Sequence, residues 1–214
     1  MNSKRLLAIA SLIDKDDVVV DIGCDHAYLD IYMAELGCNC VAIDVRKTVI
    51  ENAESNVIQS GFQNKIKVIL NNGLENITIE EDATVVLSGL GTKTILKIIG
   101  DKKLKQIIIQ SNDDLYLLRK AMIDKGYSIV DEKIIFEDNK YYVIINFRIG
   151  SVTYSDEKLL LGPVLLQNKD EIFISYLKDK LEHFNKVLLQ IPEHYSERKK
   201  QVEKTIEQIK AALI

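Results

Sequence analysis

Short, continuous apolar runs alternate along the chain with stretches whose apolar residues recur every three or four positions. Val18-Val19-Val20-Asp21-Ile22-Gly23 predicts a buried strand ended by a glycine, and Ala27 to Leu36 a helix. Cys40-Val41-Ala42-Ile43-Asp44 predicts a second strand that ends in a carboxylate, and Thr48 to Ser60 a helix stopped by Gly61. Ile66 to Leu70 and Ala83 to Leu87 predict a third and a fourth strand, the latter followed by Ser88-Gly89-Leu90-Gly91 and a helix near Thr94 to Ile99. Gln106 to Gln110 reads as a fifth strand, with a helix from Asp113 to Lys125 closed by Gly126. Uninterrupted apolar strands separated by helices imply a parallel sheet covered on both faces, because a solvated face would make every second residue polar.

The pattern then changes. Ser128 to Phe136 and Tyr141 to Arg148 are two strands with no helix between them, joined by the turn residues Glu137-Asp138-Asn139-Lys140. Strand–helix units closed by an antiparallel hairpin differ from the all-parallel dinucleotide fold and match the seven-stranded sheet of class I methyltransferases. Beyond Gly150 and a link containing Gly162-Pro163, apolar residues fall at helical spacing: Phe173, Leu177, Leu181, Phe184, Leu188 and Ile191, then, after Pro192, Val202, Ile206, Ile209 and Leu213. The expected fold is therefore α/β: a Rossmann-like class I methyltransferase seven-stranded sheet over residues 1–150, with a C-terminal α-helical coiled-coil hairpin in residues 151–214.

Composition changes this picture little. Hydrophobic residues make up 47% and charged residues 28% of the 214, enough for an ordinary core with no disulfide or metal staple. The net charge of -4 argues against a protein that coats nucleic acid through its whole surface, yet leaves room for a local basic face. Cys24, Cys38 and Cys40 are odd in number and sparse, which suits a reducing compartment, and the Cys38-Asn39-Cys40 spacing suits no zinc site. No run approaches a membrane span and no signal segment is visible, so a cytoplasmic protein without metal or membrane partner is expected.

The candidate chemistry sits at the predicted strand ends. In nucleotide-binding α/β folds the turn after the first strand lets a ligand approach the backbone, and glycine permits this. Here the turn is Asp21-Ile22-Gly23-Cys24-Asp25-His26-Ala27, with Asp25 and Ala27 where a dinucleotide fingerprint has glycines. A carboxylate in that turn repels pyrophosphate but tolerates a sulfonium or an amino group. Asp44, with Val45 beside it, ends the second strand and suits the two hydroxyls of a ribose; a solvated strand-end acid is the plainer alternative. Asn72 and Gly73 follow the third strand, where an amide suits an adenine edge or simply makes a turn. Ser88, Gly89, Leu90 and Gly91 end the fourth strand, where a flat base could approach the backbone; the alternative is a tight turn into a helix. Gln110 and Asn112 end the fifth, as base-edge donors or, for Asn112, as a helix cap.

Asp-Ile-Gly-x-Asp-His-Ala-Tyr-Leu (Asp21 to Leu29), Gly-x-Gly (Gly89 to Gly91) and Gln-x-Asn (Gln110 to Asn112), taken together, resemble the bacterial TrmK family of tRNA (adenine-22)-N1-methyltransferases over nearly the whole chain. The sequence departs from the usual family pattern at Asp30 (Pro), Asn72 (Asp), Thr92 (Gly) and Ser111 (Pro). The resemblance implies methyl transfer from S-adenosyl-L-methionine to N1 of an adenine in tRNA, acting as a monomer. It implies cofactor binding by Asp21, Gly23, Cys24, Asp44, Val45, Asn72, Gly73, Ser88 and Gly89, and substrate binding by Leu90, Gly91, Gln110 and Asn112. Asp25, His26 and Tyr28 are then the catalytic candidates: Asp25 to face the charge that develops on the base or to hold the methionine end, His26 to orient it, and Tyr28 to border the base. Arg198, Lys199 and Lys200 would grip the tRNA backbone from the helical hairpin, unless they only pair with neighbouring Glu. Two other readings remain on the residues alone. One is a methyltransferase acting on a small molecule or protein, with the hairpin as a dimerisation arm. The other is a non-catalytic cofactor-binding module that recruits a partner through the hairpin.

Overall fold

The computed structural model describes residues 3–15, 17–192 and 194–214. Two compact units divide the chain, Met1–Thr153 and Tyr154–Ile214. The first is built on a seven-stranded sheet of β1 (Val18–Ile22), β2 (Asn39–Asp44), β3 (Ile66–Leu70), β4 (Thr84–Leu90), β5 (Gln106–Ser111), β6 (Tyr127–Glu137) and β7 (Lys140–Ile149), in the order β3-β2-β1-β4-β5-β7-β6. The first five strands run parallel, and β7 inserts antiparallel between β5 and β6. The helices of this unit are α1 (Lys4–Ala10), α2 (Tyr28–Glu35), α3 (Lys47–Gln59), α4 (Thr92–Ile99) and α5 (Leu115–Asp124).

The central strands are apolar on both faces, as helical cover requires: Val85, Val86, Leu87, Ile107, Ile108 and Ile109 are all fully buried. Edge strand β3 leaves Leu70 half exposed. Asp138 and Asn139 both take positive φ, 49° and 58°, which gives a two-residue hairpin turn whose twist matches that of the flanking strands. The strand order reverses between β1 and β4, and that switch point opens a crevice at the carboxyl ends of the strands.

Two elements differ from expectation. Helix α1 was not anticipated, because seven residues are too few to show a helical period. The link after Gly150 contains two short helices, α6 (Asp156–Leu161) and α7 (Pro163–Asn168). They are separated by Gly162 at φ 99°, with Pro163 in the first helical turn where its missing N–H costs nothing. In the second unit α8 (Glu171–Gln190) and α9 (Ser196–Ala212) pack on each other as a hairpin. Phe173, Leu177, Ile206, Ile209 and Ala212 are its buried seam, whereas Leu189 and Tyr195 near the bend are exposed.

Candidate active site at the strand ends

A cavity of about 800 Å³ opens at the switch point, within the range of small-molecule sites. Its floor is the turn after β1. The N–H groups of Gly23 and Cys24 both donate to the Ile43 carbonyl at 2.8 and 3.1 Å, which fastens that turn to β2. Gly23 takes φ 82° and Asp25 and Ala27 take 51° and 57°, a left-handed conformation that costs a residue with a Cβ and that persists where the surroundings impose it. The turn brings the Asp25 carboxylate to the cavity wall.

On one side lies Asp44, its side chain nearly buried. Arg46 holds it through a fork, Nε to Oδ1 at 3.0 Å and Nη2 to Oδ2 at 2.9 Å, and donates its backbone N–H to Oδ1 at 2.9 Å. Burial works to raise the Asp44 carboxyl, but these hydrogen bonds and the Arg46 charge outweigh it and hold it below the usual carboxylate range. Val45, Asn72, Gly73 and Leu74 continue the wall. Asn72 donates to Glu75 Oε1 at 2.6 Å and Asn71 to the Gly73 and Glu75 carbonyls. A Cβ on Gly73, at φ 57°, would stand 3.0 Å from the Ile98 side chain, which would have to give way.

On the other side β4 ends in a bulge between Ser88 and Leu90, with Gly89 at φ 76°. Bulges re-aim backbone next to functional sites. This one is clamped by neutral amides: Gln110 Oε1 accepts from the Gly89 N–H at 3.0 Å and from Ser88 Oγ at 3.2 Å, and Asn112 Nδ2 donates to the Gly89 carbonyl at 2.7 Å. Gln110 Nε2 in turn donates to Asn112 Oδ1 and the Ser111 carbonyl. Gln110 is buried and all its polar atoms are engaged, so its geometry is that of a support for Gly89 rather than a free base-edge donor. Gly91 precedes α4, and Asp113 fills the space beside it, accepting from the Thr92 N–H at 2.7 Å.

The structure thus brings Gly23, Asp25, Asp44, Val45, Asn72, Gly73, Ser88, Gly89 and Leu90 to one cavity. Asp21 and Cys24 are buried beneath its floor instead of lining it. Burial pushes the Asp21 carboxyl up to about 7, aided by the Asp44 charge, while Asp30 and Arg5 pull it down. Burial likewise pushes up Asp30 and the Cys24 thiol. His26 and Tyr28 are stacked with ring centroids 5.4 Å apart, both well exposed and outside the cavity lining, with His26 Nε2 3.8 Å from Asp25 Oδ2. Arg198, Lys199 and Lys200 lie on α9, in the other unit, where Lys200 pairs with Glu197 at 3.2 Å. Two arginines that sequence reasoning missed line the cavity, Arg5 and Arg46. Arg46 stands two residues beyond a strand-end acid, a spacing that could have suggested it; Arg5 gave no local signal.

The antiparallel β7 separates this sheet from the all-parallel dinucleotide fold and makes the protein a Rossmann-like class I methyltransferase in architecture. Within that class the chain belongs to the TrmK family: residues 19–211 match the family described as tRNA (adenine(22)-N(1))-methyltransferase. It is 30% identical over 202 residues to the Bacillus subtilis tRNA (adenine(22)-N(1))-methyltransferase, covering 88% of this chain and 85% of that one. The crystal structure of the B. subtilis m1A22 tRNA methyltransferase TrmK superposes with a TM-score of 0.89 at 25% identity, over 100% of this chain and 99% of that one. M. capricolum TrmK, solved with S-adenosyl-homocysteine, superposes with a TM-score of 0.89 at 32% identity, over 100% and 98%. No helix among the described residues is long and apolar enough to cross a membrane.

Proposed function

We propose that the protein transfers the methyl group of S-adenosyl-L-methionine to N1 of adenine 22 in tRNA. The observation that carries this is the pairing of an ionised strand-end acid, Asp44, with the clamped Ser88–Gly89 bulge across one cavity, in a chain of the TrmK family. The residues present fit the cofactor. Asp44 has acceptor capacity for a ribose diol, Val45, Leu74 and Ile98 offer apolar contact for a purine, and Asn72 offers an amide at its edge. When bound, the cofactor supplies a sulfonium methyl that is electrophilic without further activation.

The chain's own residues then have mostly positional work. Gln110 and Asn112 fix the Gly89 backbone, and Leu90 borders the space for the target base. Asp25 places negative charge near a base that becomes cationic on methylation. The exposed His26–Tyr28 stack is a platform on which an unpaired or flipped adenine would rest, since N1 lies on the pairing edge and is inaccessible in a helix. Arg198, Lys199 and Lys200 supply cations for the tRNA backbone, in a cytoplasmic, monomeric enzyme of two domains near 1–150 and 151–214.

Methyl transfer from labelled cofactor to unmodified tRNA tests the reading. N1-methyladenosine is expected, and is lost when adenine 22 is replaced by guanine. No incorporation by a protein that still binds S-adenosylhomocysteine would sink it in favour of another acceptor. Replacing Arg198, Lys199 and Lys200 together by Gln should reduce the salt dependence of tRNA affinity by about two in the log–log slope; an unchanged slope removes those residues from the interface.

A further inference from the structure

Asp30 is completely buried, and nothing in the roles above uses it. It follows directly on the Asp21 to Leu29 motif, at a position where the chain departs from the usual family pattern. It lies in the first turn of α2, a helix that starts at Ala27 without a side-chain cap. Among the described residues no donor from another residue reaches either oxygen of its carboxyl. What that carboxyl meets is a second buried one, Asp21 of β1, within hydrogen-bonding reach. The groups that face the two acids are few. Arg5 from α1 and Asp44 from β2 act on Asp21, and the thiols of Cys24 in the turn and Cys40 on β2 feel both acids. Cys40 Sγ donates to the Asp30 backbone carbonyl at 3.5 Å, not to the carboxyl. Burial pushes both thiols up, so they stay neutral and add no charge.

Two carboxylates buried side by side cannot both be ionised, because each charge is stripped of water and repels the other. With one proton between them the same contact becomes a hydrogen bond from a neutral acid to a carboxylate, one of the strong kinds. That proton belongs on Asp30. Arg5 offers positive charge to Asp21, whereas no cation acts on Asp30. The start of a helix favours negative charge, but burial and the Asp21 charge outweigh it and push the Asp30 carboxyl well above the usual range. We infer that Asp30 is a positioning residue for the turn after β1: it stays a neutral acid and donates its proton to Asp21, tying the first turn of α2 to β1 across the intervening loop. That loop carries Gly23, Asp25, His26 and Tyr28, so the clasp sets the geometry of all four without touching a ligand. Asp25 and Ala27 hold left-handed conformations that persist only where the surroundings impose them, and the clasp is one such constraint. Its effect on cofactor binding rests on the S-adenosyl-L-methionine reading; the proton itself does not.

Infrared spectroscopy of the full chain, isotope-labelled at its aspartate carboxyls, reads the proton directly. At about pH 8.5, far above the ordinary aspartate range, the wild type should keep a protonated-carboxyl stretch that Asp30→Asn lacks. Its absence from the wild type, or its survival in Asp30→Asn, would overturn the inference. Asparagine is a neutral donor of nearly the same shape, so Asp30→Asn should hold S-adenosylhomocysteine affinity within about threefold in calorimetry. Asp30→Leu leaves the Asp21 carboxylate buried without its donor; it should weaken that ligand about tenfold or more and speed hydrogen exchange at the Gly23 and Cys24 amides. Equal loss in the two variants would mean that position 30 serves packing alone, and would also overturn the assignment. Should Asp30→Leu fail to fold, the spectrum and the asparagine variant still decide. Failure of the wild type to bind S-adenosylhomocysteine at all would refute the cofactor reading and leave the spectrum to judge the clasp.

Discussion

The two sides of the cavity are held by opposite means. At the end of β2 charge meets charge: Asp44 is gripped by an exposed, fully ionised Arg46 that also stands 3.9 Å from Asp25. At the ends of β4 and β5 the backbone is gripped by neutral amides, a buried Gln110 and an exposed Asn112. An ion pair whose cation reaches into water is adjustable, and its acid can share lone pairs with a ligand. An amide network centred on a buried Gln110 whose polar atoms are all engaged is rigid, and that amide has little left to share. The first suits a binding contact and the second suits a position that must not move during methyl transfer.

The sharpest way to break this contrast is Gln110→Leu. It leaves the Gly89 N–H without its acceptor, and misplacing a reacting position by even about 1 Å costs on the order of a hundredfold in rate. A hundredfold loss of kcat with a smaller change in S-adenosylhomocysteine affinity is expected; an equal loss in both would mean the clamp serves binding. Asp44→Ala should do the reverse, weakening S-adenosylhomocysteine by roughly ten- to thirtyfold in calorimetry while leaving turnover at saturation nearly intact.

Beneath the floor, Asp21 gives a smaller, pH-dependent effect. Its folded carboxyl, raised to about 7, holds a proton that the unfolded chain releases near its ordinary value of 3.8. The folded state therefore binds more protons between those values, and this group's contribution to stability falls as pH rises from about 4 to about 7. Denaturant unfolding of the wild type relative to Asp21→Asn should lose up to about 1.4 kcal/mol per pH unit across that window; a parallel pair of profiles would contradict the buried, protonated acid. The smallest effect belongs to Arg46→Gln. Its guanidinium is largely exposed, so less than about a threefold change in ligand affinity is expected. A larger loss would show that the ion pair, and not Asp44 alone, forms the contact.

The sheet was legible because its central strands are buried on both faces and so write themselves as apolar runs, from Val18 to Ile109, each ended by a glycine, acid or amide. The antiparallel hairpin was legible from the absence of a helix between Phe136 and Tyr141. The cavity residues followed, since strand ends converge wherever the order reverses. What was not legible depends on long-range contact. Gln110 reads as a ligand-facing amide, but the bulge at Gly89 engages all its polar atoms in the fold. Asp21 belongs to the motif yet its side chain points under the turn. Arg5 is meaningful only through Glu137 and Tyr142, more than 130 residues away in sequence. Of the hairpin stripe, only Phe173, Leu177, Ile206 and Ile209 are fully buried; Leu181, Phe184, Leu188 and Val202 remain partly exposed, a gradation that periodicity does not encode.

The carboxylate of Glu137 has a consequence in time. It stands at the end of β6 and holds α1, so a segment made before β1 can dock only after the last strands of the same unit have been made and paired. Contacts of such sequence separation form late, after the entropy of closing the intervening loop has been met. Until then the cavity lacks its Arg5 wall. Completion of the cavity is thereby tied to completion of the unit: a truncated or half-folded chain has the floor and the Asp44 side but not the Arg5 wall until the sheet is finished.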